Sequence, residues 1–298
     1  MVLPVKVGSN SPIYAADRLN LRVKHVDRLS SLLSNFSLHA STFYSGGFCG
    51  VAAYPGDVPR GYVHLLRAGR VTLGSSHGEG VVIDEPSLML MGRPLAHRVS
   101  ASDEDGAELV CATIEFDGGV DNPLSRALPE YLLLPLSAVP SIAGAIDWLF
   151  SEAFGDDCGR EAVLDRLFEL MVIQLLRHLM ASNQLSGGML AGLANPRLSK
   201  AMTLMHDAPA KPWSVADLAL AANMSRASFA AQFREVVGMT PADYLVSWRV
   251  SLAQKRLREG RPIALIADEV GYESPSALAR AFRRKVGASP REWVQRLA

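Results

Sequence analysis

Two stretches of this chain, 49 residues apart, set arginines among small side chains. The first holds Ser225, Arg226, Ala227, Ala230, Ala231 and Arg234; the second holds Ser274, Ser276, Ala277, Ala279, Arg280, Arg283 and Arg284. A guanidinium is a planar five-donor fork that fits two acceptors at once, on a guanine edge or on a phosphate. Alanine and serine neighbours leave such a fork room to approach a surface. A serine that opens a helix also leaves backbone N–H groups pointing outward, ready for an anion. The residues are therefore candidate contacts for a polyanion. Arg280 is the candidate for a base edge, and Arg283, Arg284 and Lys285 for phosphates.

The elements that position these side chains are duplicated. Phe229 aligns with Leu278, Phe233 with Phe282, Arg234 with Arg283, Val237 with Val286, Gly238 with Gly287 and Pro241 with Pro290. Asn195-Pro196, Thr240-Pro241, Ser274-Pro275 and Ser289-Pro290 each put a capping side chain before a proline, a helix-start signal. Gly238 and Gly287 follow apolar-periodic runs and suit left-handed helix ends. Seven helices are expected, over about 196–207, 214–222, 225–237, 241–257, 262–270, 275–286 and 290–297. The second and third, and the fifth and sixth, are joined by short turns and carry small residues, Ala219 and Ala267, where two helices must approach. That is a helix-turn-helix, twice. The helix between the copies spans roughly 25 Å at 1.5 Å per residue, which brings two recognition helices near the ~34 Å repeat of a duplex.

Composition sharpens this reading. The 298-residue chain has 30 Lys+Arg and 30 Asp+Glu, a net charge of zero. The zero is an average of two unlike parts. Residues 196–298 carry 16 basic against 9 acidic side chains, a net of +7, and residues 1–195 carry 14 against 21, a net of −7. A basic last third fits a polyanion-binding domain. Cys49, Cys111 and Cys158 are an odd, widely spaced set, which excludes a disulfide framework and a CxxC zinc site. No signal-peptide core opens the chain, and no run is apolar enough to span a bilayer, so a cytoplasmic location is expected. Paired catalytic carboxylates, GxSxG, P-loop and HExxH motifs are all missing, and no catalytic residue, metal or cofactor is assigned.

The first two-thirds has a different texture. A short helix is expected around Val26–Leu33. From Ser41 to Leu136, short apolar runs alternate with Gly, Pro and Asp, as in a β-sandwich or barrel. The runs are residues 61–66, 70–73, 80–83, 87–91 and 108–116. Two helices follow, over 141–153 and 160–182. The second is apolar on most of its circumference, so it either packs on the β region or forms a dimer seam. Residues 183–194, with Gly187, Gly188 and Gly192, read as a linker. The fold class expected is two-domain α+β: a cupin-like barrel with two helices, then seven helices with two helix-turn-helix motifs. The divisions are 1–140, 141–183 and 195–298.

The C-terminal part resembles the AraC/XylS family of bacterial transcription regulators. The resemblance rests on Ala219-x5-Ser225-x3-Phe229-x3-Phe233-Arg234-x3-Gly238-x2-Pro241 and on Ile266-Ala267-x3-Gly271-Tyr272-x5-Leu278-x-Arg280-Ala-Phe282-Arg-Arg-x2-Gly287-x2-Pro290. Asn195-Pro196-Arg197-Leu198, His206 and Pro212-Trp213 resemble the branch with an N-terminal cupin-like sensor. Relatives usually carry arginine where Ala231 stands, so base reading by the first motif falls to Arg226 or to apolar contact. The resemblance implies double-stranded promoter DNA, RNA polymerase, a small-molecule or redox effector and a second copy of the chain as partners, and no membrane. It marks His64 and His97 as candidate effector contacts, although Leu66 breaks the HxH pair of metal-binding cupins. It also marks Cys49 and Cys111 as candidate redox thiols. The rival readings are a metal-dependent cupin enzyme fused to a DNA-binding segment, and a purely architectural DNA binder.

Overall fold

The computed structural model describes residues 27–75, 80–104, 106–119, 122–182 and 185–297. The first helix starts later than expected, as α1 (Ser30–Asn35); Val26 lies outside the described residues. Among the described residues nine strands follow: β1 (Leu38–Phe48), β2 (Gly50–Tyr54), β3 (Gly61–Gly69), β4 (Val71–Ser75), β5 (Val81–Ile83), β6 (Ser87–Met91), β7 (His97–Ala101), β8 (Ala107–Phe116) and, after helix α2 (Pro123–Ala127), β9 (Leu132–Pro135). One sheet runs β1-β8-β3-β6-β9 and the other β2-β7-β4-β5. All of these pairings are antiparallel.

β3 is buried from Gly61 to Leu66 and β6 throughout, because the larger sheet is covered on both faces. One face meets the smaller sheet around Leu66, Val71, Met89, Val99 and Cys111. The other face lies under α3 (Ala143–Ala153) and α4 (Arg160–Ala181). Of the two alternatives for the long apolar helix, most of its surface goes to its own domain: α4 buries Leu164, Leu167, Phe168, Met171, Val172, Leu175, Leu176 and Leu179. It also covers the open edge of β1. The Asp165 carboxylate accepts the Thr42 N–H at 2.7 Å, and Glu169 accepts that of Ala40 at 3.4 Å. An edge strand with its donors capped is a poor template for pairing with another chain.

The expected linker over 183–194 is largely a helix, α5 (Gly188–Ala194), with Leu190, Gly192 and Leu193 buried. Glycine there serves packing rather than flexibility. A Cβ on Gly192 would stand 2.5 Å from Met202 Sδ and 2.8 Å from Val237 Cγ2. Seven helices then stand where they were expected: α6 (Leu198–Asp207), α7 (Val215–Ala221), α8 (Arg226–Val237), α9 (Pro241–Arg258), α10 (Ile263–Glu269), α11 (Pro275–Val286) and α12 (Pro290–Gln295). Among the described residues no helix is long and apolar enough to cross a membrane.

The two parts share one hydrophobic core, which runs from Phe36 and Leu176 through Leu193 and Met202 to Trp248. The Phe36 and Trp248 rings meet edge to face at 5.5 Å. Polar clips flank this contact. Arg28 Nη1 donates to the Leu193 carbonyl at 2.9 Å, and Arg258 Nη2 to that of Gly118 at 2.9 Å. The barrel part thus meets α9, the rod between the two helix-turn-helix motifs, through Phe36 and Gly118, and α5 packs against the end of α8 at Val237.

Candidate nucleic-acid interface

Both turns are built by the same backbone device. After α7 the chain enters the left-handed region at Asn223 (φ 55°), and after α10 at Gly271 (φ 82°). Met224 N–H then bonds Ala219 carbonyl at 2.9 Å, and Tyr272 N–H bonds Ala267 carbonyl at 2.8 Å. Asn223 N–H returns to Leu220 and Gly271 N–H to Asp268, each at 3.0 Å. These paired bonds satisfy the last carbonyls of a helix and swing the chain sharply into the next one. Asparagine tolerates this conformation; Gly271 is also needed for space, since a Cβ would lie 2.6 Å from Ala210 Cα.

The turns deliver α8 and α11 with matching caps. Ser225 Oγ accepts the Ser228 N–H, and Ser274 Oγ accepts that of Ala277. Gly238 and Gly287 close the helices at φ 83° and 80°. Phe229, Phe233 and Val237 bury one face of α8, and Leu278, Ala281 and Phe282 that of α11. Packing on that side leaves Arg226, Ala227, Ala231 and Arg234 exposed on α8, with Ala230 half-buried. On α11 it leaves Ser276, Arg280, Arg283 and Arg284 exposed, with Ala277 and Ala279 half-buried. Among the described residues Arg226, Arg234, Arg280 and Arg284 have no ion-pair partner, whereas Arg283 meets Glu292 at 3.4 Å. That pair is well exposed and contributes little to stability.

Sequence reading missed the residue that ties the two motifs together. From α9, the half-buried Arg249 donates to three carbonyls: Pro209 at 2.7 Å, Gly271 at 3.0 Å and Lys211 at 3.0 Å. Its guanidinium also lies 5.5 Å from the Tyr272 ring centre. One arginine thus links the approach to the first motif, the rod, and the turn of the second. No periodicity marks it, because three carbonyl partners distant in sequence leave no pattern.

Beneath this, His206 is buried with Nε2 2.7 Å from the Tyr244 hydroxyl and its ring 4.3 Å from Trp248. Burial pushes its pKa down from 6.5 to about 3. The unfolded imidazole takes a proton below about 6.5, and the folded one only near 3. Stability from this group is complete above that upper value and is lost as pH falls through the window, by at most about 1.4 kcal/mol per pH unit. The urea midpoint should therefore drop between pH 7.5 and 5.0, and a His206→Gln variant should lose part of that dependence. Parallel behaviour of the two proteins across this range would refute the assignment.

In the barrel, His64 on β3 and His97 on β7 reach each other across the two sheets, Nε2 to Nε2 at 2.9 Å. His97 Nδ1 lies 2.8 Å from the Leu95 carbonyl, so in the neutral ring Nδ1 carries the proton and Nε2 accepts from His64. That leaves His64 Nδ1 a buried acceptor without a partner. Burial, and then His97, lower the His64 pKa to about 3, and burial lowers that of His97. The Tyr54 ring stacks on His97 at 4.7 Å, a partner that sequence reading also missed. His97 borders a cavity of about 290 Å³ walled by Leu73, Val81, Met91, Leu95 and Tyr131. The donor set does not fit a metal. The imidazoles are engaged with each other, and among the described residues no three His, Cys, Asp or Glu side chains cluster. Cys111 is buried, which pushes its thiol pKa up, while Cys49 is exposed.

A two-sheet barrel joined through a shared core to a duplicated, basic helix-turn-helix defines a one-chain regulator that binds double-stranded DNA. Comparison with known proteins agrees. A cupin family model matches residues 27–181, and a helix-turn-helix domain model matches residues 218–296. An AraC-like transcription regulator of Streptomyces lividans is 44% identical over 243 residues, 80% of this chain and 79% of that protein. The RCS-specific HTH-type transcriptional activator RclR of Escherichia coli (strain K12) is 31% identical over 239 residues, 78% of this chain and 84% of that protein. Among solved structures, the DNA-binding domain of AdpA in complex with a target DNA matches with 30% identity, covering 34% of this chain and 92% of that one, at a TM-score of 0.32. The chain belongs to the AraC family of transcription regulators, in the branch with an N-terminal cupin domain. It is a regulator of transcription.

Proposed function

We propose that one chain grips one face of a duplex, with α8 and α11 in successive major grooves. The observation that carries this reading is the repeat of one geometry: the same left-handed turn, serine cap and glycine stop, each ending in an outward face with unpaired arginines. Arg280 reads a base edge and Arg226 supplies the polar contact of the first motif. Ala227, Ala230, Ala231, Ser276, Ala277 and Ala279 allow close approach. Arg234, Arg283 and Arg284, with the helix starts at Ser225 and Ser274, hold phosphates. Arg280→Ala should weaken specific binding by about 1–3 kcal/mol while leaving binding to random DNA nearly intact. A gel-shift titration in which the specific-to-random ratio does not change overturns the role of Arg280.

The same reading gives the barrel an effector. Its mainly apolar cavity, bordered by His97, suits a small, largely apolar ligand. Residues 1–140 would sense it and residues 195–298 would read DNA. The segment 141–183 would offer a second copy the exposed Trp148 and Leu170 of α3 and α4, with RNA polymerase a further partner at the promoter. A thiol-responsive alternative has the exposure of Cys49 in its favour; the burial of Cys111 weighs against a thiolate there.

A further inference from the structure

The two recognition helices share one register but carry different chemistry. In both, a serine caps the start, a glycine closes the end, and the buried rings and chains fall at matching places: Phe229 and Phe233 on α8, Leu278 and Phe282 on α11. The outward lines of the two helices can therefore be compared residue by residue. On α11 the line runs Ser276, Arg280, Arg283; on α8 it runs Ala227, Ala231, Arg234, and all six are exposed. Spacings of four and three keep each set on one face. Where α11 presents a hydroxyl and then a guanidinium, α8 presents two methyl groups.

The charge of the two helices differs as well. α11 carries Arg280, Arg283, Arg284 and Lys285 and no acid, a net of +4. α8 carries Arg226, Arg234 and the exposed Glu235, a net of +1. Glu235 stands where α11 has Arg284, and the half-buried Val236 where α11 has Lys285. A helix with so little net charge displaces few counterions, so its hold on a groove depends on base edges rather than phosphates. An alanine side chain neither donates nor accepts a hydrogen bond. The apolar group that a major-groove edge offers it is the C5 methyl of thymine.

We propose that the two motifs divide the reading: α11 makes most of the phosphate and guanine contacts, and α8 recognises thymine through the methyl groups of Ala227 and Ala231. This rests on the placement of both helices in major grooves. Its consequence is a lopsided operator, with thymines fixed in the half under α8 and guanine in the half under α11. The salt dependence of binding then comes mainly from the second motif.

The test is fluorescence anisotropy on the full chain, with an operator selected from random DNA in which single thymines are replaced by deoxyuridine, a change that removes only the methyl. Replacement at the thymines facing Ala227 and Ala231 is expected to lower affinity about fourfold each, the size of one lost methyl contact. Replacement in the α11 window should leave affinity nearly unchanged. Ala231→Arg, at an exposed helical position, should keep the fold, change the preferred pair facing it to G·C, and abolish the deoxyuridine effect there. Footprinting of the same complexes separates the two levels. Protection of both windows without a deoxyuridine effect under α8, a first window with no fixed thymine, or an unchanged base preference in Ala231→Arg would each overturn methyl reading and leave the groove placement standing. Loss of the α8 window from the footprint would overturn the placement, and methyl reading with it.

Discussion

Arg249→Met is expected to lower the unfolding free energy by about 2–4 kcal/mol and to remove specific DNA binding with it. Methionine keeps the apolar stem of the side chain on α9. It loses the donors that satisfy the carbonyls of Pro209, Lys211 and Gly271. Each of those is a charge-assisted bond worth about 1.5–3 kcal/mol when removed singly, though the three will not add in full. The effect on binding should exceed the effect on stability. Gly271 carries the sharp turn of the second motif, and Pro209 and Lys211 lead into the first, so the clamp sets how the motifs are held relative to the rod. Arg249→Lys restores a charge but not the three-way fork, and should recover less than half of the loss. Urea unfolding followed by tryptophan fluorescence, beside a gel shift, reads both quantities. A stability change below about 0.5 kcal/mol would mean the carbonyls find water instead and that the clamp is incidental.

Much of the DNA-reading part was legible in the residues, because three independent signals coincide there. Ser-Pro and Thr-Pro pairs mark helix starts, Gly238 and Gly287 mark helix ends, and the offset of 49 repeats the whole pattern. Each signal is local, and local signals survive in a linear reading. Asn223 was not legible as a left-handed residue, since its second-copy counterpart is glycine and asparagine is ambiguous. Arg249 was invisible for a different reason: its partners are 22 to 40 residues away. In the barrel, β3 and β6 stood out as apolar runs because the larger sheet is buried on both faces. β1, β2 and β7 did not, because their half-exposed faces carry Ser, Gly, His and Arg. The glycines of 183–194 were read as freedom, yet Gly192 is there to admit Met202 and Val237. His64 and His97 were singled out by resemblance; their contact with each other, which takes them away from a metal, is a matter of geometry alone.

The second large effect concerns the DNA rather than the protein. α9 has 18 residues and is roughly 27 Å long, a rod whose ends cannot swivel freely with Arg249 in place. Inserting half a helical turn between the two contacted groups of base pairs should therefore put one of them on the far face of the duplex. The expected loss is at least about 3 kcal/mol of specific affinity, since the gap between specific and random binding is typically about 4–10 kcal/mol. A full-turn insertion restores the face but not the distance, and should not rescue binding. Rescue by a full turn would indicate two flexibly tethered readers instead of one rigid pair.

The central claim is that α8 and α11 of a single chain occupy adjacent major grooves. Hydroxyl-radical footprinting of the monomeric protein on an operator selected from random DNA tests it most directly. Two protected windows are expected on one face, about one helical turn apart, with the window of the second motif lost in Arg280→Ala. A single window, or two windows on opposite faces of the duplex, would contradict it.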